Sequence, residues 1–525
     1  MIIAPDTNIY LYSGVPLDNT YSDSIYFANR TAQNAYFAGL TPVKTFTQNT
    51  YQRVNSGIFR ARCVADDIYN VNYMRFQNHA YGSKWFYAFV TSVEYDNDGM
   101  SSVYYEIDVI QTYLLDCELE QCFIERQHSI SDDLFEHILP EPVALGEYVF
   151  ENYDKLSDGL DDMAILIGVC DVAGQSAGKL YDGVYGGMEI HVFPAARGAM
   201  TSINTFLDQY IQRPESIVVM YMVPQFVLQL ANPPIPDTGY VLTNNKTGAT
   251  GTFSLAAVAC TGTETFDGYT PKNKKLYTYP YNFLHLDNGD GNGMELRYEF
   301  FSDTPTVRID SCITPPIQLK LYPLYYKGGV TGKPVKTEFL TLANYPICSW
   351  NYDTYRAWVS QNSIPIALGV GAAAAGIIAT IATGGAAAPA AVAGLALATS
   401  TVSKAYTASR EADTCKGNIS SGNANFAHSG QNFYRARVRI TRDYARMIDS
   451  FFSTYGYAFN KVAAPNIHAR PYWTYIKTAE CKIKGNCPAS DIRIMCNCFD
   501  KGITFWTLAN GSNVGEYWHN NAPAS

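Results

Sequence analysis

Several short patterns in this 525-residue sequence carry residue types that could do chemistry. Gly174-Gln175-Ser176-Ala177-Gly178 matches G-x-S-x-G and follows the apolar run Ala164–Cys170, as the nucleophile of a hydrolase follows its strand. Its sequel, Lys179–Tyr185 with Gly186-Gly187 beyond, does not read as a helix, and there is no HGGG-type oxyanion loop; a small-residue loop explains it better. Asn288-x-Asp290-x-Asn292-Gly293, with Glu299 at the twelfth position, approaches a calcium loop. Asn stands where the first Asp belongs and the flanks read as strands, so a hairpin tip is expected. Cys481, Cys487, Cys496 and Cys498 are separated by five, eight and one residues, unlike the close pairs of zinc sites, and read as buried strand thiols. No HExxH occurs. Asp132-Asp133 and Asp161-Asp162 could serve a glycosidase, but adjacent acids read as solvated loop charge. These residues predict no catalytic centre, no metal and no cofactor.

Composition narrows the class further. A net charge of −10 excludes a protein that grips nucleic acid through its phosphates, which needs a basic face. The charge is uneven: residues from Lys404 onward carry +7 and the first 403 carry −17. With Tyr 40, Phe 26 and Trp 6, aromatic residues make up 14% of the chain, which suits pleated sheets and broad interfaces. The length predicts two to four domains. Met1-Ile2-Ile3-Ala4-Pro5-Asp6 does not read as a secretory signal, and the Cys placement suggests thiols in a reducing compartment.

One segment stands apart. Ala357–Ser403 contains no charged residue, and its centre, Ile364–Ser403, holds 15 Ala and 6 Gly. Crossing a bilayer takes ~20 apolar residues per helix. Two short passes fit, Ile364–Ala382 and Ala386–Val402, hinged at Thr383, Gly384 and Gly385. The residues that would enter a membrane are Ile364, Ile366, Leu368, Val370, Ile377, Ile378, Ile381, Val392, Leu395, Leu397 and Val402. Ala and Gly keep the segment only weakly apolar. The pattern leaves open a buried Ala-rich hairpin or glycine-rich loop, a resident transmembrane hairpin, and a covered segment released into a membrane on cue.

The elements around it read as mainly β with minor α. Lys84–Leu115 predicts a hairpin turning at Asn97-Asp98-Gly99 and alternating on through Val103, Tyr105, Ile107 and Val109. A helix is expected over Met200–Arg213, a strand over Ile217–Val223 and further hairpins over Gly262–Phe301. Tyr434–Ile440 alternates with period two, placing Arg435, Arg437 and Arg439 on one face and Ala436, Val438 and Ile440 on the other. Thr441–Tyr455 reads as a helix with Ala445, Ile448, Phe451 and Phe452 as its buried stripe, and the final 70 residues read as short strands.

A collinear series of motifs makes the chain recognisable. Phe76-Gln77-Asn78, Tyr81-Gly82, Lys84-Trp85-Phe86-Tyr87-Ala88-Phe89-Val90-Thr91 and Glu106-Ile107-Asp108-Val109-Ile110-Gln111-Thr112 come first. Asp162-Met163 and Tyr279-Pro280-Tyr281 follow. Ser450-Phe451-Phe452, Tyr455-Gly456-Tyr457, Pro465-Asn466 and Asp500-Lys501-Gly502-Ile503-Thr504-Phe505-Trp506 close the series. Together they resemble the tail knob proteins of small, short-tailed Picovirinae-type phages of Gram-positive bacteria. The resemblance covers both ends well and the middle loosely; the chain is shorter than the family pattern around the middle and beside the apolar stretch.

The resemblance implies a non-enzymatic virion protein, made in the host cytoplasm and placed at the tail tip. It implies a homohexamer forming a hollow tube beside a neighbouring tail or collar protein. Phage DNA would pass through the lumen without specific binding. The apolar segments would plug the lumen and then enter the host cytoplasmic membrane. Arg435, Arg437 and Arg439 would face a neighbouring subunit or the lumen, the former being preferred because an Arg ring would retard DNA; a solvated strand face stays open. The expected division is 1–130 as an N-terminal β-rich tube-forming part, 131–345 as an inserted middle, 346–412 as the apolar segment, and 413–525 returning to the tube domain. A pore-forming or host-adhesion protein without a conduit role is the alternative.

Overall fold

The computed structural model describes residues 6–523 apart from 50–56, 135, 170–179, 182–183, 186–188, 211–215, 229–234, 243–248, 256–264, 312, 314–316, 329–337, 344, 346, 350–430 and 509–510. Among these residues the chain is mainly β-sheet, with five α-helices. It divides into two compact units, each discontinuous in sequence. The first gathers Met1–Tyr148, Thr261–Tyr281 and Ile440–Ser525; the second holds Val149–Cys260 and Asn282–Arg439.

The first unit is built on a six-stranded antiparallel sheet in the order Lys44–Asn49, Thr7–Tyr12, Tyr73–Gln77, Trp85–Asn97, Met100–Ile107, Ile58–Ala61. Its aromatic and β-branched strands bury Ile9, Leu11, Tyr73, Phe76, Tyr87 and Val103 in one core. Ile476, Met495, Phe499, Ile503 and Phe505, from near the C-terminus, complete that core. The last strand of the central hairpin stops at Ile107, short of the alternation read through Val109. Asp108 caps the helix Val109–Tyr113 instead, its Oδ1 accepting the Gln111 N–H at 3.0 Å.

A five-stranded sheet follows the order Asp23–Ile25, Ile503–Trp506, Trp473–Ala479, Cys122–Gln127, Tyr457–Ala463, its first pair parallel. The helix Arg442–Tyr455 starts one residue inside the expected span and buries Ala445, Ile448, Asp449 and Phe452; Phe451 is half-buried. It ends at Gly456, whose φ of 67° and 2.3 Å clearance from Gln127 O to a built Cβ admit only glycine. His128 joins three segments, accepting the Tyr475 N–H at Nδ1 (2.8 Å) while Nε2 lies 3.1 Å from Ser453 O. Those partners fix the neutral tautomer, and burial pushes the imidazole pKa down to about 3.

The final region is not only strands. Ala489–Lys501 is a helix that buries Asp491, Met495, Cys498 and Phe499 at helical spacing. Met495 and Phe499 are fully buried, each supplying about 2–3 kcal/mol by leaving water. The cysteine reading is corrected accordingly. Cys496 and Cys498 lie on this helix, and Cys481 and Cys487 flank the short strand Ile483–Gly485.

The returning segment is held to the rest of the first unit by three carboxylates, two of them buried. Glu141 Oε1 accepts Lys275 Nζ at 2.6 Å and the Ala458 N–H at 2.7 Å, while Oε2 pairs with Arg126 Nη2. The Glu141 side chain is 0% exposed and that of Lys275 1%, so each charge depends on the other. Asp449, on the helix Arg442–Tyr455, accepts Tyr269 OH (2.5 Å), the Lys272 N–H (2.8 Å) and the Asn273 N–H (3.0 Å). Asp132 accepts the Lys274 N–H at 2.8 Å and also Tyr457 OH. Asp132 is therefore a structural acceptor, not the solvated loop charge its neighbour Asp133 suggests.

Among the described residues the second unit contains three larger sheets. One runs Tyr240–Val241, Glu189–Pro194, Met163–Val169, Ile217–Pro224, Ile347–Ser349; another runs Ala249–Ser254, Phe301–Ser311, Leu319–Tyr326, Leu340–Leu342. The helix near residue 200 covers Met200–Asp208, shorter than expected, with residues 211–213 of that expectation outside the described residues. Asn282–Asp287 and Gly293–Leu296 form the expected hairpin, whose tip carries the calcium-like pattern. Asn288 Oδ1 accepts the Asp290 N–H at 3.0 Å, and Nδ2 donates to Thr341 O at 2.9 Å, so this side chain shapes the turn.

Two outcomes follow for the first unit. Glu141→Gln leaves two cations without their carboxylate and lowers its unfolding free energy by about 3–5 kcal/mol in urea titrations at neutral pH. Asp108 is fully buried among Tyr73 OH, which donates at 2.9 Å, and the cap amides, and burial pushes its carboxyl up to about 7. Because the folded pKa lies above the unfolded one, its stabilising contribution is complete below pH 4 and is lost as pH rises to 7. Native protein therefore loses up to about 4 kcal/mol across that window relative to Asp108→Asn, measured as the difference between their urea profiles.

Candidate functional site: two strands that bracket the apolar stretch

The apolar residues Ile364, Ile366, Leu368, Val370, Ile377, Ile378, Ile381, Val392, Leu395, Leu397 and Val402, and the hinge Thr383, Gly384 and Gly385, lie outside the described residues. So does the G-x-S-x-G pattern at 174–178. Among the described residues no helix is long and apolar enough to cross a membrane, and no group of His, Cys, Asp and Glu could hold a metal ion. What the structure does place is the chain on either side of residues 350–430.

On the near side, Ile347–Ser349 pairs antiparallel with Ile217–Pro224, in the register Ile347↔Tyr221, Cys348↔Met220 and Ser349↔Val219. On the far side, Tyr434–Ile440 is an inner strand of a four-stranded sheet. The order is Tyr148–Lys155, Tyr434–Ile440, Asn282–Asp287, Gly293–Leu296. Its register runs from Tyr434↔Asp287 to Arg439↔Asn282, so backbone hydrogen bonds hold it along its whole length. Leu156 N–H also donates to Phe433 O at 2.7 Å. Both flanks are thus fixed in sheets of the second unit.

The period-two pattern of this strand brings its three arginines to one face, the face shared with Leu284 and Leu286. Both leucines are buried. Arg439 is 1% exposed, with Nε donating to Glu151 Oε1 at 2.6 Å, and Arg437 Nη1 lies 3.4 Å from Glu151 Oε2. Two of the three arginines therefore share one carboxylate within the chain, on the adjoining strand. The spacing alone gave no sign of Glu151. Arg435 is half-buried.

The opposite face of the same sheet is aromatic. Tyr153 stacks on Tyr434 with ring centres 5.3 Å apart, and its OH donates to Asp287 Oδ1 at 3.0 Å. Burial and that carboxylate push the Tyr153 phenol up to about 12. Phe150 meets His285 edge-on at 5.9 Å. Asn152, at φ 51°, breaks the alternation and returns Tyr153 to the face of Phe150. Tyr148, Phe150 and Tyr153 remain exposed along a sheet edge. Asp161, one of the paired acids, accepts Lys155 Nζ at 2.6 Å and Asn432 Nδ2 at 3.0 Å, tying the start of the arginine strand to its neighbours.

The chain is similar to known proteins along nearly its whole length. Tail knob protein gp9 of Bacillus phage PZA is 25% identical, the match covering 97% of this chain and 98% of the relative. Tail knob protein gp9 of Bacillus phage phi29 is 23% identical over the same shares. The structure of the bacteriophage C1 tail knob protein, gp12, shares the fold with a TM-score of 0.62 at 15% identity, covering 99% of each chain. Residues 5–118 match the family described as Caudoviral major tail protein N-terminus. Residues 258–522, half of the chain, match the family described as Bacillus phage phi29, Tail knob protein gp9, C-terminal domain. The chain therefore belongs to the tail knob protein family, as a structural component of the phage virion tail and not an enzyme.

Proposed function

We propose that six copies of this chain form a hollow tube at the tail tip, through which the genome leaves the particle. In this reading the apolar stretches plug the lumen before infection. They then enter the host cytoplasmic membrane to frame a path for DNA. The observation that carries the reading is the anchoring of both flanks. A charge-free segment from Ala357 to Ser403 is bracketed by Ile347–Ser349 and Tyr434–Ile440, each hydrogen-bonded into a sheet. Such a segment can change surroundings while the folded body that carries it stays intact.

Charge supports the conduit role. A channel must not hold its cargo, because every phosphate–cation contact adds salt-dependent affinity. A net charge of −10 meets that requirement, and Glu151 holds Arg437 and Arg439 within the chain, offsetting one of the charges that an Arg ring would have offered. Arg435 is the member of the row we assign to a subunit interface. The exposed Phe150 and Tyr153, on an edge strand, supply the apolar area that subunit contacts use. The neighbouring tail or collar protein would seat on the assembled ring.

The membrane step is tested by dye release from anionic liposomes, scanned over pH, with purified full-length protein beside a deletion of residues 364–402. The full chain is expected to assemble into hexamers without detergent and to release dye. The deletion is expected to assemble equally and to release about tenfold less, since it lacks most of the longest charge-free segment. If both leave liposomes intact at every pH, the segment acts only as a plug. If neither forms hexamers, the tube is lost from the reading.

A further inference from the structure

Cys117 and Cys487 are 370 positions apart, yet their Sγ atoms lie 3.4 Å from each other. The approach is built by the fold. Cys117–Leu119 pairs antiparallel with Ile483–Gly485 in the register Cys117↔Gly485, Glu118↔Lys484 and Leu119↔Ile483. Two residues past Gly485 the chain brings Cys487 back across the partner strand. Gly485 makes room for this, since a Cβ there would lie 2.5 Å from Cys117 Sγ. Both cysteines are half-buried, as is Cys496, whereas Cys63, Cys122, Cys481 and Cys498 are buried. A disulfide needs its sulfurs at about 2.05 Å, a closure of little more than 1 Å.

We propose that Cys117 and Cys487 are a dithiol oxidation site, which closes to a disulfide when the assembled chain meets a small-molecule disulfide. One cysteine thiolate attacks a sulfur of the reagent RSSR, giving a protein–SR mixed disulfide and one RSH. The second thiolate attacks the protein sulfur of that intermediate, forming the Cys117–Cys487 bond and releasing a second RSH. Two protons and two electrons pass from the cysteines to the reagent. The bond joins the opening and closing stretches of the first unit, Met1–Tyr148 and Ile440–Ser525, which otherwise meet only through non-covalent contacts. A virion component leaves a cell whose thiol pool keeps such pairs reduced, so closure after release would lock this unit. The inference does not rest on the tube or membrane reading. Burial and the adjoining Cys487 push the Cys117 thiol up to about 12, so exchange is slow at neutral pH and quickens with pH.

Full-length protein, purified reduced, is incubated anaerobically with oxidised glutathione at pH 7 and pH 8, remaining thiols are alkylated, and the products are mapped as non-reduced peptides. A peptide linking Cys117 to Cys487 is expected, forming several-fold faster at pH 8. The oxidised protein should melt about 5 °C higher than the reduced protein. A Cys117→Ser/Cys487→Ser variant should melt identically with and without glutathione disulfide. Recovery of both cysteines alkylated, a glutathione adduct that never closes, or a bond formed elsewhere, such as between Cys481 and Cys496, overturns the proposal. The peptide map of the native sequence decides the question even if the double variant fails to fold.

Discussion

The Glu141 carboxylate sets a constraint on which the first unit depends. It is buried between Lys275 and Arg126 and also accepts the backbone of Ala458. Four distant pieces of chain meet at one functional group: strand Cys122–Gln127, the loop carrying Glu141, the returning segment with Lys275, and strand Tyr457–Ala463. Removing such ions from water costs several kcal/mol each, and their attraction offsets that cost only when geometry and hydrogen bonds are complete. Here Arg126 also donates to Gly456 O at 2.7 Å, and Lys275 lies 5.3 Å from the Tyr457 ring centre. Burial lowers the Lys275 pKa, while Glu141 opposes that shift. An apolar contact would tolerate sliding of the strap; this arrangement accepts one register.

That selectivity matters because of how the chain is threaded. It leaves the first unit after Tyr148, returns for Thr261–Tyr281, leaves again, and comes home at Ile440. A short returning segment has limited apolar area with which to anchor itself. Phe266, Leu276, Tyr277 and Tyr281 are its buried hydrophobic anchors, and directional bonds supply the rest. Asp449 satisfies four donors of residues 269–273 with one carboxylate, and Asp132 and Glu141 hold the two following lysines through a backbone N–H and a side chain. Three acids from two chain regions thus fix the segment by its backbone and its one buried ammonium.

The division between what could and could not be read from the sequence follows range. Period-two strands and the hairpin turning at Asn97-Asp98-Gly99 are local, and the sheets carry them as expected. The Asp108 cap was equally local, since an Asp three residues ahead of Gln111 at the end of a strand is a start signal; apolar alternation through Val109 masked it. Cys496-x-Cys498 looked like strand alternation, but Asp491, Met495, Cys498 and Phe499 keep helical spacing and Gly502 ends the run. Arg439 and Glu151 are 288 positions apart, Lys275 and Glu141 are 134 apart, and nothing in either neighbourhood announces the partner. The collinear motifs identified the family without locating these pairs.

Anchoring at both flanks also restricts what the apolar stretch can do under the proposed function. A segment whose two ends are held on one folded body can enter a bilayer only as a loop or hairpin, with an even number of crossings. Thr383-Gly384-Gly385 divides it into arms of 19 and 17 residues, Ile364–Ala382 and Ala386–Val402. As helices these would span about 28 and 26 Å, against a hydrocarbon core of about 30 Å. Both arms are thus marginal in length as well as in hydrophobicity, since Ala and Gly bury little area each. A single hairpin of this kind gains little by leaving a protein cavity for lipid. Several arriving together can satisfy one another through close contact of small residues. Under the proposed function, weak individual insertion would make membrane entry depend on the number of copies assembled, which is the property a tail component needs to stay closed until it meets its host.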